Sequence, residues 1–204
     1  MDRGLWIVPP RRMPRATVVD MTSRRPFRAA SIVIAAMLAV GALAGCGPTA
    51  PTPTPTPTGF ASEEEAFAAA EATYRAYVDA LNQVDLSDPS TFEEVYRWTT
   101  GDANAEARES FSQMYADGWT VSGISEVALA QALGADDSTD TVVIAVCLDV
   151  GAVDVLDASG ESVVSPSRGS IQTMTVLAAE SASSDTGFLI SSIEGREGEP
   201  ACEN

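Results

Sequence analysis

The sequence predicts an α+β domain, with helices first and an antiparallel sheet after them. Two observations carry this. Apolar residues recur at helical spacing from residue 62 to about residue 117, and at a period of two from there to residue 193. Turn-forming clusters punctuate the second half in the manner of a meander of strands.

Ser62-Glu63-Glu64-Glu65 is a capping box, with Ser62 as N-cap and Glu65 three residues into the helix. Its acidic first turn complements the helix dipole. Phe67, Ala70, Tyr74, Tyr77, Val78 and Leu81 form the stripe that this helix should bury. A second helix opens at Asp88-Pro89 or at Thr91-Phe92-Glu93-Glu94 and carries Val95, Tyr96 and Trp98. Asp102 is expected to cap a third, with Ala107, Phe111, Met114 and Tyr115 along it and Gly118 as its stop. Gly101 argues against one helix running from Thr91 to Asp117.

Trp119 to Leu133 reads as one long strand, with Trp119, Val121, Val127, Leu129 and Leu133 in phase and Gly123 as a bulge. Thr141 to Val150 is the strongest strand, with Val142, Ile144, Val146 and Leu148 on one face. Val153 to Leu156 continues it or forms a short strand of its own. Glu161 to Ser165, Ser170 to Ala179 and Phe188 to Ile193 supply the others, with turns at residues 135–138, 157–160 and 183–187.

Ahead of this domain, Leu43-Ala44-Gly45-Cys46 resembles the lipobox of bacterial lipoproteins. Arg24, Arg25 and Arg28 form a basic start, and Ser31 to Ala44 is an uncharged apolar run. That is the layout of a secretory signal, and the run is short of the roughly 20 residues of a membrane span. The resemblance implies that Cys46 receives a diacylglyceryl group and becomes the mature N-terminus. Two acyl chains suffice for stable anchoring. An ordinary signal peptide cut near Ala44, or an uncleaved apolar segment, is the plainer alternative.

Residues 1–20 hold Pro9, Pro10, Pro14 and scattered arginines without any apolar period. They are expected to be an extension ahead of a true start at Met21, with 21–45 as the signal peptide. Ser23-Arg24-Arg25-Pro26-Phe27 also resembles the start of a twin-arginine export signal. Residues 46–60 then comprise the lipidated cysteine and a tether that reads Gly-Pro-Thr-Ala followed by four Pro-Thr pairs. Polyproline II over thirteen such residues, at about 3.1 Å each, reaches roughly 40 Å. Threonines in a stalk of this kind are acceptors for O-linked sugar. Residues 61–204 form the single domain.

The part from Cys46 onward is strongly acidic. Seven of the 12 basic residues and two of the 29 acidic ones precede Cys46, leaving five against 27 and a net charge of −22. A phosphate-reading protein needs a basic patch, so nucleic acid is excluded as a partner. The membrane contact is then the acyl chains on Cys46 rather than anionic lipid. The chain has no histidine, which removes Ser-His-Asp and Cys-His catalysis and imidazole metal ligands. No cofactor or resident metal is expected. With Cys46 assigned to lipid, Cys147 and Cys202 remain in an oxidising compartment and are expected to form one disulfide. The alternative is two separate thiols, one buried in a strand.

The element order resembles the nuclear transport factor 2-like fold, a cone of curved sheet wrapped on helices. Cys147-Leu148-Asp149 in a mid-domain strand, and the glycine-rich Gly195 to Cys202 with its late cysteine, also resemble small actinobacterial lipoproteins. The high alanine content and the absence of lysine fit a high-GC source. Folds of this shape often hold a pocket inside the cone. Some relatives, ketosteroid isomerase among them, use an aspartate base and a tyrosine donor. The corresponding candidates are Tyr74, Tyr77, Tyr96 and Tyr115, with Asp149 or Asp117. The plainer expectation is core tyrosines and solvated aspartates.

Asp136, Asp137 and Asp140 lack the ligand order of a calcium loop and read as a turn. Trp98 and Trp119 either line a pocket or belong to the core. The leading functional expectation is a lipid-anchored, non-enzymatic binding domain on the outer face of the cytoplasmic membrane, with a small apolar ligand or an envelope protein as partner. A carboxylate–tyrosine enzyme, or a scaffold subunit of an envelope complex, is the alternative.

Overall fold

The computed structural model describes residues 59–136 and 138–202. Cys46, the leader, the tether up to residue 58 and Asp137 lie outside the described residues. The fold is α+β, with N-terminal helices packed against antiparallel sheet.

Helix α1 spans Glu63–Leu81. Ser62 caps it as expected, its Oγ accepting from the Glu65 amide at 3.2 Å. Glu65 reaches back one residue further than the usual box and accepts from the Ala61 amide at 2.8 Å. Ala66, Ala70, Tyr74, Tyr77 and Val78 form its buried stripe. Just before it, Phe60 stacks on Phe188 with ring centroids 5.1 Å apart. Gly187 makes room for that ring, since a Cβ there would sit 2.7 Å from Phe60 Cζ.

Asp88 accepts from the Ser90 amide and opens a single 3-10 turn at Pro89–Thr91. Helix α2, Phe92–Arg97, follows directly, so both sequence signals at this point are used. Helix α3 spans Gly101–Ala116 with Thr100 at the N-cap, two residues earlier than the expected cap at Asp102. It buries Ala103, Ala107 and Phe111. Tyr115 is 49 % exposed and does not continue that stripe.

The expected strand from Trp119 to Leu133 is two strands, β1 at Thr120–Ser122 and β2 at Glu126–Asp136. They part at Gly123, which has φ +81 and sits against the backbone of Ala152 so closely that a Cβ would clash with its carbonyl. Strands β3 (Thr141–Asp149), β4 (Asp154–Leu156), β5 (Ile171–Glu180) and β6 (Phe188–Gly195) complete the set. The expected strand over Glu161 to Ser165 is reduced to one bridge between Leu156 and Ser162.

The main sheet has the antiparallel order β2-β3-β5-β6, and β1 pairs with β4 in a second, two-stranded sheet. Register shifts fall between Val127 and Leu129, between Ala132 and Gly134, and between Leu177 and Ala178. Such bulges bend a sheet and reset its phase. That is why Leu133, expected inward, is 48 % exposed, while Ala130, Ala132 and Ala135 face the core. On β3 the expected face holds, with Val142, Ile144, Val146 and Leu148 all buried against the helices.

The opposite face of β3 carries the expected staple. Cys147 is bonded to Cys202 with their Cα atoms 5.6 Å apart. Arg196 organises the segment between the last strand and Cys202. Its guanidinium donates to the carbonyls of Met174, Gly198 and Pro200, at 3.2, 2.7 and 2.7 Å.

Candidate functional site

The site begins with the way α3 ends. Gly118 has φ +71, and its amide donates to the Tyr115 carbonyl at 3.1 Å, while the Trp119 amide donates to the Met114 carbonyl at 3.0 Å. These two bonds make a Schellman cap, which brings the residue after the glycine beside the last turn of the helix. Here those residues are Met114 and Trp119, and both line one open groove of about 480 Å³.

The other wall is the loop that returns from β4 to β5. Val155 stands at its start, Val163 and Val164 in its middle, and Gln172 where β5 has begun. Asp157 folds the turn that opens this loop, accepting from the Ser159 amide at 2.8 Å and from the Glu161 amide at 3.1 Å. The Ser159 hydroxyl and these amides hold the Asp157 carboxyl below the usual range. Arg168 fastens the far end, with Nη2 donating to the carbonyls of Val150 and Val153, each at 2.8 Å.

A second cavity of about 100 Å³ adjoins the groove and shares Met114 and Val155 with it. Leu81, Val84 and Leu86 line it from the end of α1, Phe111 from α3, and Val121 from β1. Two polar residues also line it, Asn82 and Ser125. They are paired with each other. The Asn82 amide donates to the Ser125 carbonyl at 2.9 Å, and its Oδ1 accepts from the Ser125 amide at 2.8 Å. The second cavity and the groove are thus both lined mainly by apolar side chains with a polar minority.

Among the described residues, no Asp, Glu or Tyr lines either cavity. The tyrosine and aspartate candidates are scattered. Tyr74 is fully buried, and its hydroxyl has no hydrogen-bond partner among the described residues. Burial pushes its phenol up, with a further push from neighbouring Tyr77. Burial takes Tyr77 up to about 12. Tyr96 lies under the Arg108 guanidinium, 3.9 Å from its ring centroid, and burial raises it despite that cation. Asp117 accepts from Gln113 Nε2 at 2.8 Å, and Asp149 accepts from the Gly151 amide at 2.8 Å. No aspartate–tyrosine dyad is assembled from this set.

Asp136 accepts from Ser138 in the expected turn, and Asp140 adopts φ 47 beside it. Among the described residues, no three His, Cys, Asp or Glu side chains group to hold a metal ion. Trp98 is half-buried against the core and gives its carbonyl to the Ile190 amide at 2.9 Å. Trp119 takes the other expected role and forms groove wall. Arg168, Gln172 and the valines of the loop escaped the sequence reading altogether. The only local signal for this site was the Gly118-Trp119 pair after a helix, the signature of the cap.

No protein-family model matches the chain, and no curated protein matches it. Among solved structures, a protein of Novosphingobium aromaticivorans provisionally named an aromatic ring hydroxylase matches at 13 % identity and a TM-score of 0.40, over 63 % of this chain and 92 % of that one. A de novo designed β-sheet protein matches at 14 % identity and a TM-score of 0.31, over 69 % of this chain and 97 % of the other.

Proposed function

We propose that this chain is a lipid-anchored extracytoplasmic protein whose α+β domain binds a small, largely apolar ligand in the groove beneath Trp119. The anchor rests on Leu43-Ala44-Gly45-Cys46 and the leader before it. The binding reading rests on one observation. A groove of about 480 Å³, walled by Met114, Trp119, Val155, Val163 and Val164, lies beside a second cavity of about 100 Å³ that shares Met114 and Val155 with it. Its size lies within the ~300–1,000 Å³ of ligand pockets.

The experiment uses phenylnaphthylamine, a neutral apolar probe whose emission rises on leaving water. The full chain should give a saturable rise, and Val163→Glu, which sets a charge on the exposed part of the wall, should weaken it at least tenfold. Absence of saturable binding to the wild-type chain defeats the binding reading. The anchor is tested separately, by mass spectrometry of the Cys46 peptide. An acyl-modified Cys46 is expected, and an unmodified one removes the tethering.

A further inference from the structure

The helices pack against one face of the main sheet, the face that carries Val142, Ile144, Val146 and Val176. An antiparallel strand whose other face meets water alternates apolar and polar residues. Strand β3 does not alternate. The residues between its core positions are Val143, Ala145 and Cys147, so it is apolar on both faces. Its neighbours extend the pattern. Val143 stands in register between Gly134 and Leu177, Ala145 between Gln131 and Thr175, and Ala179 beside Leu189. Leu133, turned outward by the bulge, adds an exposed side chain on β2. Val143, Leu177 and Leu189 are half-buried.

This face is also poor in charge, although the net charge is −22 from Cys46 onward. Carboxylates stand at its margins, Asp136 and Asp149 at the ends of β2 and β3 and Glu194 near the end of the edge strand β6. Two copies of so acidic a chain repel each other wherever carboxylates meet, and on this face they approach without that cost. A basic partner would be drawn to the carboxylates that the centre of the face lacks. The size suits a pair. Four strands about 4.8 Å apart and nine residues of about 3.3 Å give a plan of roughly 19 by 30 Å, the Cys202 staple included. Two such plans amount to roughly 1,100 Å², just above the ~1,000 Å² of a specific interface.

We infer that this face is an interface between two copies of the chain, related by a two-fold axis, with Val143 and Leu177 near its centre. In such a contact the residues nearest the axis meet their own counterparts. None of these residues lines the groove, so the pairing goes beyond the ligand reading and does not depend on it.

The test is oxidative cross-linking of the full chain in the cells that produce it, read on a non-reducing gel. Val143→Cys and Leu177→Cys are compared with the wild-type chain, whose Cys147 and Cys202 are already paired. Tyr115→Cys, exposed on α3, is the control position. At least one of the two face variants should pass largely into a disulfide-linked pair of twice the chain mass, while Tyr115→Cys and the wild type stay single. Thr175→Arg, added to the cross-linking variant at a position already polar, sets like charges across the contact and should abolish the pair. Absence of a linked pair at both positions overturns the interface, as does equal linking at Tyr115→Cys. A linked product of any other mass assigns the face to a different protein and overturns the second copy. Cross-linking undiminished by Thr175→Arg, with native circular dichroism, overturns the placement of the contact on this face.

Discussion

The amide of Trp119 donates to the carbonyl of Met114 at 3.0 Å, and this bond turns the end of a helix into the wall of a groove. It depends on Gly118, which holds φ +71 between them. An L-residue with a Cβ pays about 1–2 kcal/mol in that conformation. Gly118→Ala should therefore lower unfolding free energy by about that amount in urea titration. Its probe affinity should also fall, because the cap that sets Trp119 against Met114 loosens. Unchanged stability together with unchanged affinity would show that the cap does not set the wall.

Asn82 makes both of its contacts to the backbone of Ser125, whose residue is only 5 % exposed. Asn82→Ala leaves a nearly buried amide and carbonyl without those partners. The expected cost is about 1–3 kcal/mol for each group left unsatisfied, reduced where water enters. Asn82→Asp keeps the acceptor and loses the donor, so it should fall between alanine and wild type. Equilibrium denaturation of the three proteins gives the order directly.

The Cys147–Cys202 bond closes a loop of sequence separation 55 that contains β4, β5 and β6. By loop-closure entropy such a bond contributes about 4 kcal/mol. Cys202→Ala should lower the melting temperature markedly. Thiol alkylation of the unreduced, denatured chain should label neither Cys147 nor Cys202. Labelling of both would remove the bond.

Tyr77 is raised by burial from 10.0 to about 12, and Tyr74 is raised as well. A phenol held protonated in the fold contributes stability that is fully present below its unfolded value, near pH 10. That contribution declines as pH climbs and is lost by about 12. Ultraviolet absorbance during alkaline titration should show these two phenols ionising only as far-ultraviolet circular dichroism is lost. Ionisation at ordinary pH with the dichroism intact would contradict their burial.

The helices were legible because their signals are local. Ser62, the stripe from Ala70 to Val78, and Gly118 each act within a few residues of where they stand. The strands were legible in order and less so in phase. Gly123 interrupts its strand because Ala152, 29 positions on, packs against its backbone, and no local pattern carries that contact. Leu133 turned outward because a bulge reset the alternation ahead of it. The groove was the least legible part. Trp119, Val155, Val163 and Gln172 meet only after the β4–β5 loop has folded back, so its lining is a property of tertiary structure. The disulfide could be read by counting cysteines, because only two remain once Cys46 is set aside.

Helix α1 gives the domain two poles. At its start Phe60 is fixed on Phe188, and at its end Leu81 and Asn82 line the second cavity. Its 19 residues separate these by about 28 Å at 1.5 Å per residue. The N-terminal approach to the domain and the cavity thus stand at opposite ends of one rigid rod. A pull on the N-terminal side loads Phe60, Gly187 and the first turn of α1, and leaves the cavity walls at the far end under no direct strain. The proposed anchoring and the proposed binding would therefore act on opposite ends of α1.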